Sequence, residues 1–247
     1  MSLEIYGLVL LVGLFVFICV GFPISFTLIT LGFIFGYIGL GPKVFYLMAI
    51  SWFDTMTDTV LAAVALFTFM GYILEKAGLM ERLFRALLLL SGRLKGSLYM
   101  GTIFSATLFA AATGIVGASV TIIGLMAAPV MQRSKYNSAL SAGAITAGGT
   151  LGILIPPSIM LVVMGPVMQV SVARLFAAAL LPGIMLASLY VIYTVIRVMI
   201  KPELGPALSD EELDVSTGYK VREFFLGLLP PAVLILATLG TIITGVA

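Results

Sequence analysis

Gly148-Gly149-Thr150-Leu151-Gly152-Ile153-Leu154-Ile155-Pro156-Pro157-Ser158 interrupts a stretch, Tyr136 to Ala173, in which no residue is charged. A hydrophobic segment of that length belongs in a bilayer. Yet Pro156 and Pro157 donate no backbone hydrogen bond, and their rings clash with the preceding turn. Carbonyls one turn upstream lose their partners. In hydrocarbon each such orphan costs several kcal/mol, so the break has to be buried in protein or face a wet cavity. Discontinuous helices at membrane mid-depth are where secondary transporters hold ions and substrate.

Composition agrees. Of 247 residues 61% are hydrophobic and 10% charged, against about 25% charged in a soluble domain. The fold class expected is an all-α polytopic membrane protein. With no histidine and one cysteine, histidine-based catalysis, disulfides and Cys/His zinc sites are excluded. Cys19 reads as a small packing residue. No span holds an embedded carboxylate pair or a nucleophile–base set, so an enzyme is not expected, and nothing points to nucleic acid. Met1-Ser2-Leu3-Glu4 carries no basic residue ahead of the first apolar run, so that run is expected to stay as a span rather than be cleaved as a signal peptide.

Working outward, apolar runs cover Ile5–Phe22, Ile24–Leu40, about Thr59–Leu74, Ser97–Met131, Ser138–Met168, Leu175–Ile200 and Phe224–Val246. Pro23 makes the first two a tight antiparallel pair. The aromatic-rich stretch Gly41 to Asp58 suits the headgroup level. Between Glu75 and Lys95, Leu79, Leu83, Leu87 and Leu90 alternate with Glu81, Arg82, Arg85 and Arg93, which reads as an amphipathic helix on the membrane surface or an ordinary connecting helix. Residues 201–222, with Asp210-Glu211-Glu212, form a hydrophilic loop.

Of the 13 Lys and Arg residues, one orientation leaves only Lys43 and Arg174 outside. That positive-inside bias puts the N-terminus outside. It also puts Arg93/Lys95 and Arg133/Lys135 on one side, so the uncharged segment between them has to enter and return. A turn at Thr113-Gly114-Ile115-Val116-Gly117-Ala118-Ser119 leaves arms of about 16 and 12 residues, roughly 24 and 18 Å. Neither crosses a core of about 30 Å. The expectation is a re-entrant helical hairpin (about 96–132) followed by a broken span (about 138–168). The crossings before Phe224 are then odd in number, so Phe224–Val246 runs opposite to Ile5–Phe22, as an inverted repeat requires. The units expected are 1–95 (scaffold spans and amphipathic arm), 96–174 (half of a transport domain), 175–200 (a span), 201–222 (a cytoplasmic loop) and 223–247 (first span of a second repeat).

Side by side, the two breaks form a cage of carbonyl and hydroxyl oxygens. Such ligands suit a hard monovalent cation better than zinc or copper. The candidates are Thr113 (hydroxyl or carbonyl) and the carbonyls of Ile115, Gly152, Ile155 and Pro157. Helix N-termini after the breaks favour an anion, so Ser119, Ser158 and Gly114 are the candidates to face an anionic substrate. The alternative is that these small residues serve close helix packing alone. Asp54 and Asp58 read as a solvated cap or as an ion-linked pair, and Glu75 with Lys76 as an interfacial pair.

Thr113 through Ser119, Pro129 closing the arm, Ala147 through Ser158, Leu66-Phe67 with Phe69-Met70-Gly71, and Pro230 through Leu236 together resemble the large membrane subunit (DctM-like) of TRAP transporters, the tripartite ATP-independent periplasmic transporters. The resemblance runs over nearly the whole chain. It implies the first inverted repeat of an elevator-type, sodium-driven importer of carboxylates in the bacterial inner membrane, with its N-terminus periplasmic. It implies no cofactor beyond the coupling sodium ion. The implied partners are a small membrane subunit (DctQ-like), a periplasmic solute-binding protein (DctP-like) and the lipid bilayer. By motif position the family's first sodium site falls on Thr113, Ile115, Gly152, Ile155 and Pro157. The family commonly has Ser-Gly-Ser at the tip; Thr113-Gly114-Ile115 offers only a carbonyl at the last position. Family members continue through a second repeat, so this chain is expected to carry half of the substrate site. A single-component divalent-anion:sodium symporter and a non-transporting scaffold or assembly protein remain as alternatives.

Overall fold

The computed structural model describes residues 3–92, 94–208 and 216–245. Arg93 and the acidic run Asp210-Glu211-Glu212 lie outside the described residues, as does Val246. Those described form helices α1 (Leu3–Val20), α2 (Ile24–Leu40), α3 (Lys43–Thr57), α4 (Thr59–Lys76), α5 (Leu79–Ser91), α6 (Ser97–Thr113), α7 (Val116–Arg133), α8 (Ser138–Thr150), α9 (Ile159–Met168), α10 (Val172–Ile200) and α11 (Thr217–Thr244). Among the described residues there is no strand. Among the described residues four segments are long and apolar enough to cross a membrane: Thr59–Lys76, Val116–Arg133, Val172–Ile200 and Gly218–Ile242. The protein is an all-α polytopic membrane protein. It divides into two compact units, residues 1–58 and 59–247.

In the first unit α1 and α2 pair as expected. Gly21 turns the chain at φ 96°, and Pro23, which needs no donor there, precedes α2. Leu31 of α2 is buried beside Gly13 of α1. These two helices, expected as spans, have 18 and 17 residues. That is roughly 26 Å each, a little short of a core of about 30 Å. Cys19 does not pack inside; it is exposed on α1. The aromatic stretch after Gly41 proves to be a helix, α3, whose Phe45 ring lies 5.9 Å from Phe33 and 6.0 Å from Tyr37 of α2. Trp52 and Phe53 stay exposed. Asp54 is exposed on α3, and Asp58 is its C-terminal cap residue.

In the second unit α5 is amphipathic, with Leu83, Phe84 and Ala86 buried. Its apolar side is occupied by protein, principally α11 and α6. Arg82 Nε meets Glu223 Oε2 of α11 at 3.0 Å. Helix α11 comes so near that a Cβ on Gly227 would stand 2.9 Å from the Leu83 backbone. It begins seven residues before Phe224, so Lys220 and Arg222, expected in a loop, are its first turns. Lys76 stands over the Tyr72 ring at 5.5 Å and makes no salt bridge with Glu75.

The hairpin and the broken helix are present. Thr113 ends α6, Gly114 takes φ 65° and Ile115 is extended before α7 starts at Val116. The arms have 17 and 18 residues, about 26 and 27 Å. The returning arm is therefore longer than expected, for two reasons. It starts at Val116 rather than after Ser119, and Pro129 lies inside it instead of closing it.

The base of this unit is tied by backbone. The Gly96 N–H donates to Gly205 O (2.9 Å), Asn137 N–H to Leu204 O (3.0 Å) and Leu208 N–H to Gly92 O (2.9 Å). The Tyr99 hydroxyl donates to Leu204 O at 2.6 Å, its ring edge-on to Tyr136 at 4.8 Å. Burial pushes the Tyr136 phenol up from its ordinary pKa, and its neutral oxygen accepts the Leu98 N–H at 3.4 Å. The Asn137 side chain caps α8 by accepting from Leu140 N–H at 3.0 Å.

If the α5–α11 contact depends on a missing Cβ, Gly227→Ala lowers the thermal unfolding midpoint of the detergent-solubilised protein, by about 1–3 kcal/mol of overpacking. Gly240→Ala, where nothing lies within 4 Å, leaves the midpoint unchanged or raised.

Candidate ion-binding site at the hairpin tip and helix break

The broken helix runs as α8 to Thr150, a 3₁₀ turn over Leu151–Ile153, a non-helical stretch to Ser158, then α9. The Ile155 N–H donates back to Leu151 O at 2.8 Å, and Leu154 N–H to the same carbonyl at 3.0 Å. Beyond that, Pro156 and Pro157 supply no donors. Ser158 Oγ turns back to donate to Ile153 O at 2.7 Å. No backbone N–H among the described residues reaches the carbonyls of Gly152, Ile155 or Pro157. All three are named from the sequence as candidate carbonyl ligands.

The hairpin tip lies against this break. A Cβ added at Gly114 would stand 2.9 Å from Ile159 N and 3.2 Å from Pro157 O. Gly114 is thus required twice, by its φ of 65° and by the contact. One turn earlier, a Cβ at Gly152 would stand 3.1 Å from Ala110 O of α6. At the start of α7, Val120 N would lie 2.9 Å from a Cβ at Gly149. Three glycines therefore bring α6, the tip and α7 onto the break at backbone distance.

Thr113 is buried, its hydroxyl donating to Phe109 O at 2.9 Å and lying 3.3 Å from Ser119 Oγ. Its carbonyl receives no backbone N–H among the described residues. The Ile115 carbonyl is different. It accepts from Ser119 Oγ at 2.6 Å and from Ser119 N–H at 3.2 Å, which takes both lone pairs. A cation there would have to share them.

Ser119 lies within the first turn of α7 rather than opening it. Ser158 is the N-cap residue of α9, but its side chain accepts from no α9 amide. Both are buried, and each hydroxyl proton is committed to a carbonyl, that of Ile115 or of Ile153. Each still presents oxygen lone pairs. The structure thus brings together Gly114, Pro157 and Ser158 at one contact, with Thr113 next in the chain and Gly152, Ile155, Ile115 and Ser119 in the adjoining turns.

One neighbour escaped the chemical reading of the sequence. Gly71 of α4 is buried, and a Cβ there would stand 3.2 Å from Thr113 Cα and 3.3 Å from Thr113 O. A lone small residue in an apolar run does not say which helix it meets. Helix α4 also packs on α9 through Phe67 and Val64, around buried Val162, so it braces both walls.

A family model described as "Tripartite ATP-independent periplasmic transporter, DctM component" matches residues 11–247. The chain is 36% identical over 200 residues to the C4-dicarboxylate TRAP transporter large permease protein DctM of Pseudomonas aeruginosa, covering 80% of this chain and 45% of that protein. It is 30% identical to the ectoine TRAP transporter large permease protein TeaC of Halomonas elongata, over 73% of this chain and 43% of the relative. The sialic acid TRAP transporter large permease protein SiaM of Vibrio cholerae is also 30% identical, over 71% and 40%. The chain spans less than half the length of each of these relatives. All three are named as permeases, not enzymes.

Gly114→Ala, which puts a Cβ into both a left-handed backbone and a backbone contact, is expected to destabilise the protein by about 2–4 kcal/mol. Gly117→Ala, three residues on with nothing within 4 Å, is expected to be neutral. Thermal unfolding followed by circular dichroism separates the two.

Proposed function

From the premise that this chain belongs to the DctM family of TRAP transporter large permeases, we propose that it supplies a sodium site, and one half of a substrate site, to a sodium-coupled importer of organic anions. The observation that carries the reading is the set of carbonyls at Gly152, Ile155 and Pro157 that no backbone N–H reaches, held against the tip by Gly114. Neutral oxygens at a desolvated break suit a hard monovalent cation, which replaces the missing donors. Thr113 adds a hydroxyl or carbonyl oxygen from the other wall, and Ile115 a carbonyl shared with Ser119.

The sodium ion is cargo. Bound between tip and break, it coordinates the orphan carbonyls and holds the two walls together, so that they travel as one body in an elevator movement. Ser119, Ser158 and Gly114 border the face where an anion would meet the N-termini of α7 and α9. A carboxylate is the class that this polarity favours. The relatives' named cargoes include a C4-dicarboxylate, ectoine and sialic acid, so the class is broader than dicarboxylates. By its charge distribution the N-terminus lies on the periplasmic side of the inner membrane. A solute-binding protein there and a small membrane subunit complete the transporter.

Sodium titrated against the purified protein is expected to raise its unfolding midpoint, with potassium at equal ionic strength giving no rise. Gly152→Ala keeps the carbonyl but sets a Cβ 3.1 Å from Ala110 O, so it is expected to displace that ligand and shift the sodium midpoint upward by about tenfold, the order of one charge-assisted contact weakened. Equal stabilisation by the two ions would remove the cation reading and leave the glycines to packing.

A further inference from the structure

Away from the tip, the link between α4 and α5, the first two turns of α5 and the start of α11 border a cleft of about 420 Å³ whose lining includes Glu81, Arg82, Arg85, Tyr219 and Glu223. Arg82 at its wall is engaged with Glu223, whose side chain is only 14% exposed. Glu81 and Arg85 also line it, four residues apart on α5 and therefore on one face. Both are exposed, and neither makes an ion pair among the described residues. Among the described residues the cleft thus offers one positive and one negative side chain besides the Arg82–Glu223 pair. A purely anionic ligand would face Glu81, and a purely cationic one would face Arg85. A ligand carrying both charges satisfies each.

The position of the cleft says where such a ligand comes from. Helix α4 is long and apolar enough to cross a membrane and ends at Lys76; the cleft begins at the next residue, Ala77. Leu66, Phe69 and Ile73 form an exposed apolar stripe on α4 running toward that end. Tyr72 and Lys76, an aromatic ring and a basic group, stand where headgroups lie. We propose that the cleft binds the headgroup of a zwitterionic phospholipid bearing a primary ammonium. The guanidinium of Arg85 takes the phosphate, in the fork geometry that suits it. The carboxylate of Glu81 takes the ammonium, and the acyl chains lie along the α4 stripe.

Native mass spectrometry of the purified protein, loaded with phosphatidylethanolamine or phosphatidylglycerol of matched chains, tests this. Phosphatidylethanolamine is expected to be retained more strongly. Arg85→Gln lowers retention of both lipids by about tenfold, the size of one charge-assisted hydrogen bond. Glu81→Gln removes the preference for phosphatidylethanolamine while retaining phospholipid. Lys43→Gln, on α3, changes neither, and circular dichroism confirms that each variant is folded. Equal or stronger retention of phosphatidylglycerol by the wild-type protein overturns the proposal, as does indifference to both α5 substitutions. Soluble glycerophosphoethanolamine is expected to compete only weakly; if it binds as tightly as the lipid, the occupant is a solute and the lipid assignment falls.

Discussion

A backbone carbonyl facing hydrocarbon has no water to bond, and the break after Thr150 creates several at once. Most of the second unit can be understood as a response. Ser158 spends its proton on Ile153 O, and Leu154 and Ile155 fold back onto Leu151 O. What those bonds leave open is covered by the hairpin tip, at a distance that only glycine allows. Helix α4 closes the arrangement from the other side, again through a glycine. The same lack of side chains that makes these contacts possible leaves a surface of bare oxygen, with no acidic group among the candidate ligands. The packing reading and the cation-binding reading of the small residues are therefore not rivals here: close packing concentrates the carbonyls that a cation would use.

The parts of this arrangement that were legible in the sequence are those with a local cause. Two prolines and three glycines in an uncharged run announce a break whatever surrounds them. Basic residues at both ends of another uncharged run announce a return. Element ends were less legible. Pro129, Pro166, Pro182, Pro230 and Pro231 all lie inside helices, since neighbouring helices and local adjustments can re-satisfy the groups that a membrane proline frees. The aromatic segment after Gly41 hid a helix for another reason: its rings pack on α2 from one side and leave Trp52 and Phe53 outside, so no apolar face stood out. Within the site, the pairing of Ser119 with Ile115 O was invisible because it depends on where α7 begins.

Helix α5 shows how a membrane protein uses an amphipathic segment twice. Its apolar side holds α11 and α6, and the side left over carries Glu81, Arg82 and Arg85. One of these charges is consumed in joining α5 to α11, so two helices far apart in the chain share an electrostatic contact at the same end. Because Glu223 is largely buried, leaving it without Arg82 would strand a charge, and the pair acts more as a specification of register than as a source of stability.

The strap at the base of the hairpin has a consequence for how the chain is made. The Tyr99 hydroxyl and its acceptor at Leu204 are 105 residues apart in the chain. During synthesis, α6, α7 and the broken helix emerge long before the residues that tie their ends. Until Leu204 has left the ribosome, the base of the hairpin is held only by contacts within its own segment, such as the Leu98 N–H on the Tyr136 hydroxyl. The order of translation thus makes the strap to Leu204 the last of the base contacts that can form.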